Sequence, residues 1–350
     1  MSRPRTVLHL VGSPVDDFNA ELSRLYARGA LEALGDPTRY ETHVAYVESG
    51  GKWRFPRDLS ATALSSAIPM TLSEAVAHIE RISVDVVVPQ MFCLPGMTAY
   101  RSLFDALGIP YVGNTGDVMA LAADKAKTRA IVAAAGVDVP EARVVRDRRP
   151  VAIPFPVVVK PVAADNSVGV KLVENATDYE RAVDASLSFG DSALVESYVE
   201  LGREVRCGIV VRRGRSVCLP LEEYAVDPVT KPIRGSGDKL SRTGGGDLFL
   251  VAKDPTHAWI VPEDDPITER VWAAARLAHE ALGCRHYSLF DFRIDPHGRP
   301  WFLEAGLYCS FAPSSVIAVM AAHAGVGVDQ LFAGVLTELD REKAGCARTR

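Results

Sequence analysis

The sequence has no CxxC pair and no His–Cys cluster at zinc spacing; its cysteines, Cys93, Cys207, Cys218, Cys284, Cys309 and Cys346, are scattered along the chain. That excludes a disulfide scaffold and predicts reduced, mostly buried thiols. No stretch approaches about 18 uninterrupted apolar residues, so no membrane-spanning helix is expected. The N-terminal MSRPRTVLHLVGSP lacks the apolar core and small-residue cleavage site of a secretion signal and reads as a first strand, which makes the cytoplasm the expected location. No tract of five like charges occurs, and 39 Lys+Arg against 44 Asp+Glu leave a formal charge of −5. Neither nucleic acid nor an anionic membrane is therefore an expected partner, and any anion must be met locally. Internal repeats and low-complexity tracts are also missing.

What remains is an ordinary globular composition, 48% hydrophobic and 24% charged over 350 residues, enough for two or three domains with their own cores. VLHLV at 7–11, a helical stretch from Asp17 to Leu34 and THVAYV at 42–47 give β-α-β alternation. A helix from Ser73 to Ile82, the strand DVVVP, a helix near Thr98 to Leu107 and the short strand PYVG extend it, so residues 1 to about 116 are expected to form a parallel-sheet α/β domain. One Ala-rich helix is expected from Asp117 to Ala135, closed by Gly136. Beyond it the pattern is α+β: strands in FPVVVKPV, GVKLV, ALVESYV, EVRCGIVV and SVCLPLEEY, with a helix opened by a capping box of Thr177 and Glu180. The last two strands are joined as a hairpin across Arg212 to Arg215. Residues 225–262 are rich in Gly and Pro, as mobile lids often are. Asp265-Pro266 starts a further helix.

The most informative segment is YSLFDFRIDPHGRPWFLEAG at 287–306. If Pro296 to Arg299 form the turn, Asp295 faces Pro300, and an unbroken antiparallel register places Asp291 opposite Glu304. Two carboxylates facing each other among Leu289, Phe290, Phe292, Phe302 and Leu303 repel and lose solvation, so they need a cation. Oxygen ligands so few in number suit Mg²⁺ completed by water and phosphate oxygens, not zinc. Arg293 and Tyr308 flank the hairpin and are placed to touch a substrate carboxylate. Lys160, ending a Val-Val-Val strand, reads as a point charge aimed at phosphate. The turn DNSVG at 165–169 offers backbone N–H groups to the same oxygens. Loops that follow strands in the first domain bring Ser13, Gln90, Met91 and Gly96 to the edge where open α/β sheets hold ligands.

The order Asp124-Lys125, VVVKP, DNSVGV, LVES…LGRE, DK and DFR…LEAG resembles the ATP-grasp superfamily, and most closely its D-alanine:D-alanine-ligase-like branch, over essentially the whole chain. The resemblance implies an ADP-forming carbon–nitrogen ligase in which two α+β subdomains, 117–200 and 201–350, clamp ATP behind the N-terminal domain 1–116. It further implies that Lys125 and Lys160 bind phosphate, that Ser167 lies in the phosphate loop, and that Glu196, Ser197 and Val199 line the adenine side. Glu204 matches the ribose-binding acid, Lys239 the cation of the lid, and Asp291 and Glu304 the Mg²⁺ ligands. ATP and Mg²⁺ are the implied cofactors, Lys239, Ser167 and Arg293 the implied catalytic side chains, and a homodimer the implied assembly.

The departures from that pattern matter equally. The last metal motif, Glu-X-Asn in the family, reads Glu304-Ala305-Gly306 here, and the arginine expected two residues before the metal-binding aspartate is Leu289. Losing an oxyanion partner typically costs about 3 kcal/mol in acyl transfer, which speaks against ordinary D-alanine ligation. The Pro-Gly-Met-Thr stretch that cups the family's amino-acid substrate is replaced by Cys309-Ser310-Phe311-Ala312, with Ser315 at the later serine position and Gly306, Tyr308 and Ser310 as substrate-side candidates. VLHLVGS, LSRLYA, WRFP, PQMFCLPGMT, YRSLFDALGIPYVGNT and ELGREVRCGI look like the ligases of mycosporine-like amino acid biosynthesis. That likeness implies attachment of a serine- or threonine-like amino acid to mycosporine-glycine. A D-alanine:D-alanine or natural-product dipeptide ligase working through an acyl phosphate is the alternative.

Overall fold

The structure is a computed structural model that describes residues 3–164, 167–235, 240–242, 248–250 and 256–348. The first sheet contains β1 (Arg5–Gly12), β2 (Tyr40–Val47), β3 (Trp53–Arg54) and β4 (Val86–Pro89) in the order β3-β2-β1-β4. β1 runs parallel to both β2 and β4, and the near-continuous apolar run of β1 is buried on both faces. β3 is an antiparallel edge on β2, and PYVG contributes only the bridge from Tyr111 to Val87, so the sheet is mixed where an all-parallel one was expected. The helix Asp17–Ala33 is capped by Asp16, whose carboxylate accepts from the Asn19 amide at 2.7 Å.

The expected Ala-rich helix is two helices, Gly116–Ala123 and Lys125–Ala134. Asp124 breaks out between them in an extended conformation because its carboxylate caps the second, accepting from the Lys127 amide at 3.0 Å. A second sheet follows, with β5 (Ala142–Val145), β6 (Val157–Pro161), β7 (Lys171–Val173) and β8 (Ala193–Ser197) in the antiparallel order β5-β8-β6-β7. Its helix, Ala176–Leu187, starts earlier than expected: Asn175, not Thr177, is the cap and takes the amides of Thr177 and Asp178. A true capping box occurs at Thr71 and Glu74, ahead of the helix Leu72–Arg81.

The third sheet is built on β9 (Arg203–Arg212), which pairs with β10 (Arg215–Cys218) through a two-residue turn at Arg213 and Gly214, both with positive φ. The expected strand SVCLPLEEY divides into β10 and β11 (Glu222–Tyr224). The hairpin β12 (Leu240–Arg242) and β13 (Leu248–Leu250) stands apart, and β14 (Ala258–Ile260), β15 (Tyr287–Ile294) and β16 (Pro300–Gly306) complete the order β14-β11-β9-β15-β16. The helix expected at Asp265-Pro266 begins at Thr268, since Asp265 turns its carboxylate back to the Ile267 amide.

The two faces of β15 are used differently. Phe290, Phe292 and Ile294 pack with Phe302 against the helix Thr268–Ala281, while Tyr287 and Leu289 on the other face are covered by Met320, Phe311 and Phe332. Asp291 and Arg293 share that second face but lie beyond its apolar cover. No single helix among the described residues is long and apolar enough to cross a membrane; the bent pair Val316–His323 and Val328–Gly345 passes on composition alone, and its apolar side is part of this core. The first and third sheets are tied by Asn114, which is fully buried: its amide donates to the carbonyls of Tyr287 (2.9 Å) and Leu307 (2.8 Å) and accepts from the Arg285 amide (2.8 Å). Asn114→Ala removes all three bonds in a dry site and is expected to lower unfolding free energy by about 2 to 4 kcal/mol, read as a shift in urea midpoint at unchanged slope.

Candidate active site

The hairpin β15–β16 brings Asp291 directly opposite Glu304, but not by the unbroken register that the sequence suggests. At the turn Ile294, not Asp295, pairs with Pro300, and a bulge between Asp291 and Phe292 restores the register with Leu303 as the extra residue. The bulge has a packing cause. In a regular strand Phe302 and Glu304 would share a face; with Leu303 bulged, Phe302 turns into the core beside Phe292 (ring centroids 5.9 Å apart) while Glu304 turns to Asp291.

Extending outward from that pair, β9 places Arg206 opposite Asp291 and β11 places Glu222 opposite Arg206. Glu222, Arg206, Asp291 and Glu304 thus form one row across four neighbouring strands. Arg206 binds Asp291 bidentately, through Nε and through Nη2 at 2.7 Å, and Arg234 adds a third contact at 3.4 Å. One register step along, Arg293 faces Glu204 and donates to it at 2.9 Å. Arg234 donates to the other oxygen of Glu204 and lies 3.6 Å over the Tyr224 ring. Burial alone would raise the Glu204 carboxyl, yet Arg234 and Arg293 outweigh it and hold its pKa at about 2. Arg293, expected at a substrate carboxylate, also donates to the carbonyls of Pro232 (2.9 Å) and Val199 (3.3 Å), so it holds the site's own frame.

The opposite wall comes from β6 and β8. Lys160 and Glu196 are buried and paired at 2.6 Å, with Arg129 3.6 Å from the second oxygen of Glu196. Between the walls lies a cavity of about 620 Å³, partly open to solvent, that gathers Lys160, Ser167, Glu196, Ser197, Val199, Glu204, Asp291, Arg293 and Glu304. Val158, Val170, Ile233 and Leu303 supply its apolar surface. Lys125 is not among its lining residues: the first residue of its helix, it is buried and donates through Nζ to the carbonyl of Ala164, next to the expected phosphate loop. Asp165, Asn166 and Lys239, with residues 236–238, 243–247 and 251–255 of the expected lid, lie outside the described residues.

None of the substrate-side candidates lines this cavity. Ser13 accepts the amides of Val15 and Asp16, Met91 belongs to the core of the first sheet, and a Cβ on Gly96 would stand 2.3 Å from that of Met91. Gln90 pairs with His9 at 2.9 Å, and its side-chain nitrogen is buried with no partner among the described residues. Ser310 and Ser315 bond to each other's loop, Gly306 lies opposite Leu289, and Tyr308 packs on Phe92. The residues that sequence reading missed are Arg129, Arg206 and Arg234. Arg206 was accessible in principle, two residues from Glu204 and so on the same strand face; Arg234 sits in an irregular loop with no period to mark it.

This donor set fits nucleotide and metal. Among the described residues no three His, Cys, Asp or Glu side chains gather as a metal cluster, so an ion held by Asp291 and Glu304 completes its shell with phosphate oxygens and water, as Mg²⁺ does. Sheet order, cavity and paired carboxylates define an ATP-grasp enzyme. The family profile described as D-ala D-ala ligase C-terminus matches residues 139–228. The D-alanine–D-alanine ligase of Gluconobacter oxydans is 31% identical over 243 residues, 67% of this chain and 73% of the relative, and that of Caulobacter sp. is 33% identical over 238 residues, 66% and 69%. The VanG D-Ala:D-Ser ligase from Enterococcus faecalis superposes with a TM-score of 0.78 at 18% identity, covering 96% of this chain and 99% of that one. A D-alanine–D-alanine ligase from Bacillus anthracis complexed with ATP superposes at 0.69 and 17% identity, covering 97% and 99%. The chain belongs to the D-alanine–D-alanine ligase family: it is an ATP-grasp carbon–nitrogen ligase that uses ATP and Mg²⁺.

Two outcomes follow from this geometry. Glu304→Gln should leave the circular dichroism spectrum unchanged while lowering Mg²⁺-dependent ADP release by at least about 100-fold; retained activity would remove the hairpin from the metal site. Because the folded pKa of Glu204 is depressed from 4.5 to about 2, its contribution to stability is full above pH 4.5 and is lost as pH falls through about 2. Glu204→Gln should therefore be clearly less stable than the parent at pH 7 and converge with it in melting temperature towards pH 2.

Proposed function

We propose that the chain joins an amino-acid amine to a carboxylate acceptor through an acyl phosphate, as a D-alanine-type or natural-product dipeptide ligase. The observation that carries this reading is the Asp291–Glu304 pair set in one cavity with Lys160 and Glu196, supported by the family to which the chain belongs. An acceptor carboxylate oxygen would attack the γ-phosphorus of ATP, forming the C–O–P linkage as the bond to ADP breaks. The amine nitrogen would then attack the acyl carbon, and collapse of the adduct would form the amide, expel inorganic phosphate and release the amine proton. Mg²⁺, when bound, neutralises charge on the phosphate oxygens. Lys160 would hold the γ-phosphoryl group, Lys125 and Ser167 its loop, and Glu204 the ribose, with Lys239 closing from the lid. The apolar side chains Val158, Val170, Ile233 and Leu303 would take the base and exclude water.

A second reading is favoured by one observation. Leu289 is buried among Met320, Phe311 and Tyr287, so position 289 offers no arginine to an acyl adduct. That supports an acceptor activated at an enaminone oxygen, mycosporine-glycine, with a serine- or threonine-like amine and an imine-type product. In either case the N-terminal domain, residues 1–116, would form the acceptor side, and the working assembly would be a homodimer. ADP release with Mg-ATP and a panel of L- and D-amino acids, with and without mycosporine-glycine, separates the two by product mass. A dipeptide formed from amino acids alone is the expected result; turnover that requires mycosporine-glycine would replace the first reading by the second.

A further inference from the structure

Among the described residues, the cationic side chains that line the cavity are Lys160, Arg234 and Arg293. Lys160 stands on the β6 wall with Glu196, and Arg293 is tied to Glu204 and to the carbonyls of Val199 and Pro232. Arg234 differs from both. It is buried, and the hydrogen bonds it makes among the described residues go to carboxylates alone: Nε donates to Glu204, and Nη2 donates to Asp291 at 3.4 Å. One guanidinium thus spans the acid assigned to the ribose and the acid assigned to the metal.

The same span is where the first phosphate of a nucleotide has to lie. In a nucleoside triphosphate the α-phosphate separates the ribose from the outer phosphates, so a ribose at Glu204 and outer phosphates beside Asp291 leave the α-phosphate between those two side chains. Its oxygens accept from the guanidinium fork as a carboxylate does. The exchange leaves neither acid bare, since Glu204 keeps Arg293 at 2.9 Å and Asp291 keeps Nη2 of Arg206 at 2.7 Å. Arg234 is also held in place while it changes partners. Its guanidinium lies 3.6 Å over the ring of Tyr224, whose hydroxyl is anchored on Glu222, and Arg293 grips the carbonyl of Pro232 two residues earlier.

We propose that Arg234 is a binding residue for the α-phosphate: with no nucleotide bound it bridges Glu204 and Asp291, and on nucleotide binding it turns the same N–H groups to the phosphate while staying stacked on Tyr224. The proposal rests on the placement of the ribose at Glu204 given above. Because every nucleotide carries an α-phosphate and a nucleoside carries none, the contact has a signature that a purely structural arginine lacks.

The test is isothermal titration calorimetry of the full chain with adenosine, AMP and ADP, without divalent metal. Arg234→Met should bind adenosine within about threefold of the parent, and AMP and ADP less tightly by one common factor of about 10 to 100. Equal weakening of adenosine would show that Arg234 only supports the wall, and weakening of ADP but not AMP would place it on an outer phosphate; either result, or no change at all, overturns the proposal. Should Arg234→Met fail to fold, the parent alone decides: it is expected to bind AMP at least about 10-fold more tightly than adenosine, and equal affinities overturn the proposal. 2′,3′-Dideoxyadenosine bound by the parent as tightly as adenosine would instead sink the placement of the ribose at Glu204, a result that the Arg234→Met comparison cannot produce.

Discussion

Four charged side chains in one row, Glu222, Arg206, Asp291 and Glu304, cross the middle of the third sheet, and the excess of three carboxylates over one arginine constrains what surrounds them. A carboxylate taken out of water costs several kcal/mol unless paired, and two in register cost more. The sheet meets that cost with arginines from three places: Arg206 from β9, Arg293 from β15 itself and Arg234 from the loop beyond Pro232. The same strand that carries Asp291 is apolar on its reverse face and apolar again from Leu289 back to Tyr287. Charge is thereby confined to one end of one face, which is where the cavity opens.

Much of this was legible because strands alternate with period two. YSLFDFRI and PWFLEAG read as a hairpin, and the facing carboxylates followed from it. The pairing nevertheless depends on compensation: the turn starts the register one residue away from expectation, and the bulge at Leu303 brings it back. Sequence spacing cannot show a bulge, because its cause is the demand of Phe302 for the core, a tertiary effect. Lys125 shows the opposite case. The Asp124-Lys125 pair looked like part of one helix, but Asp124 prefers to cap, and the break it makes turns Lys125 towards the carbonyl of Ala164. Arg234 gave no signal, since it acts from an irregular loop; Arg129 lies on the helix Lys125–Ala134, but helical period alone does not say which polar side chain turns to Glu196.

The two departures from the family pattern differ in kind. Leu289 is required by packing, with Gly208 across from it and Met320 over both; a Cβ at Gly208 would meet the Met320 sulfur at 2.8 Å. Gly306 is not: a Cβ there would lie an ordinary 3.8 Å from that of Leu289. Lack of space therefore does not explain the missing amide side chain at 306. An ion held by Asp291 and Glu304, as proposed, would have one protein oxygen fewer than the Glu-X-Asn pattern provides and would lean more on phosphate and water.

That dependence fits the charge balance of the cavity. Lys160, Arg206, Arg234 and Arg293 stand against Glu196, Glu204, Asp291 and Glu304, and each of the four cations is already engaged with one of those carboxylates. An incoming Mg-nucleotide carries net negative charge into a site that is neutral among these side chains. None of these four cations lacks a carboxylate partner, so a nucleotide bound there as proposed would have to exchange partners, phosphate for carboxylate at Lys160. A network built from bidentate and shared contacts can make such exchanges without leaving any charge bare, because each carboxylate that loses one cation keeps or gains another. Glu204 keeps Arg293 if Arg234 moves, Glu196 keeps Arg129 nearby if Lys160 turns to phosphate, and Arg206 has Glu222 beside it. The redundancy of the ion pairs would let a buried site accept a charged ligand.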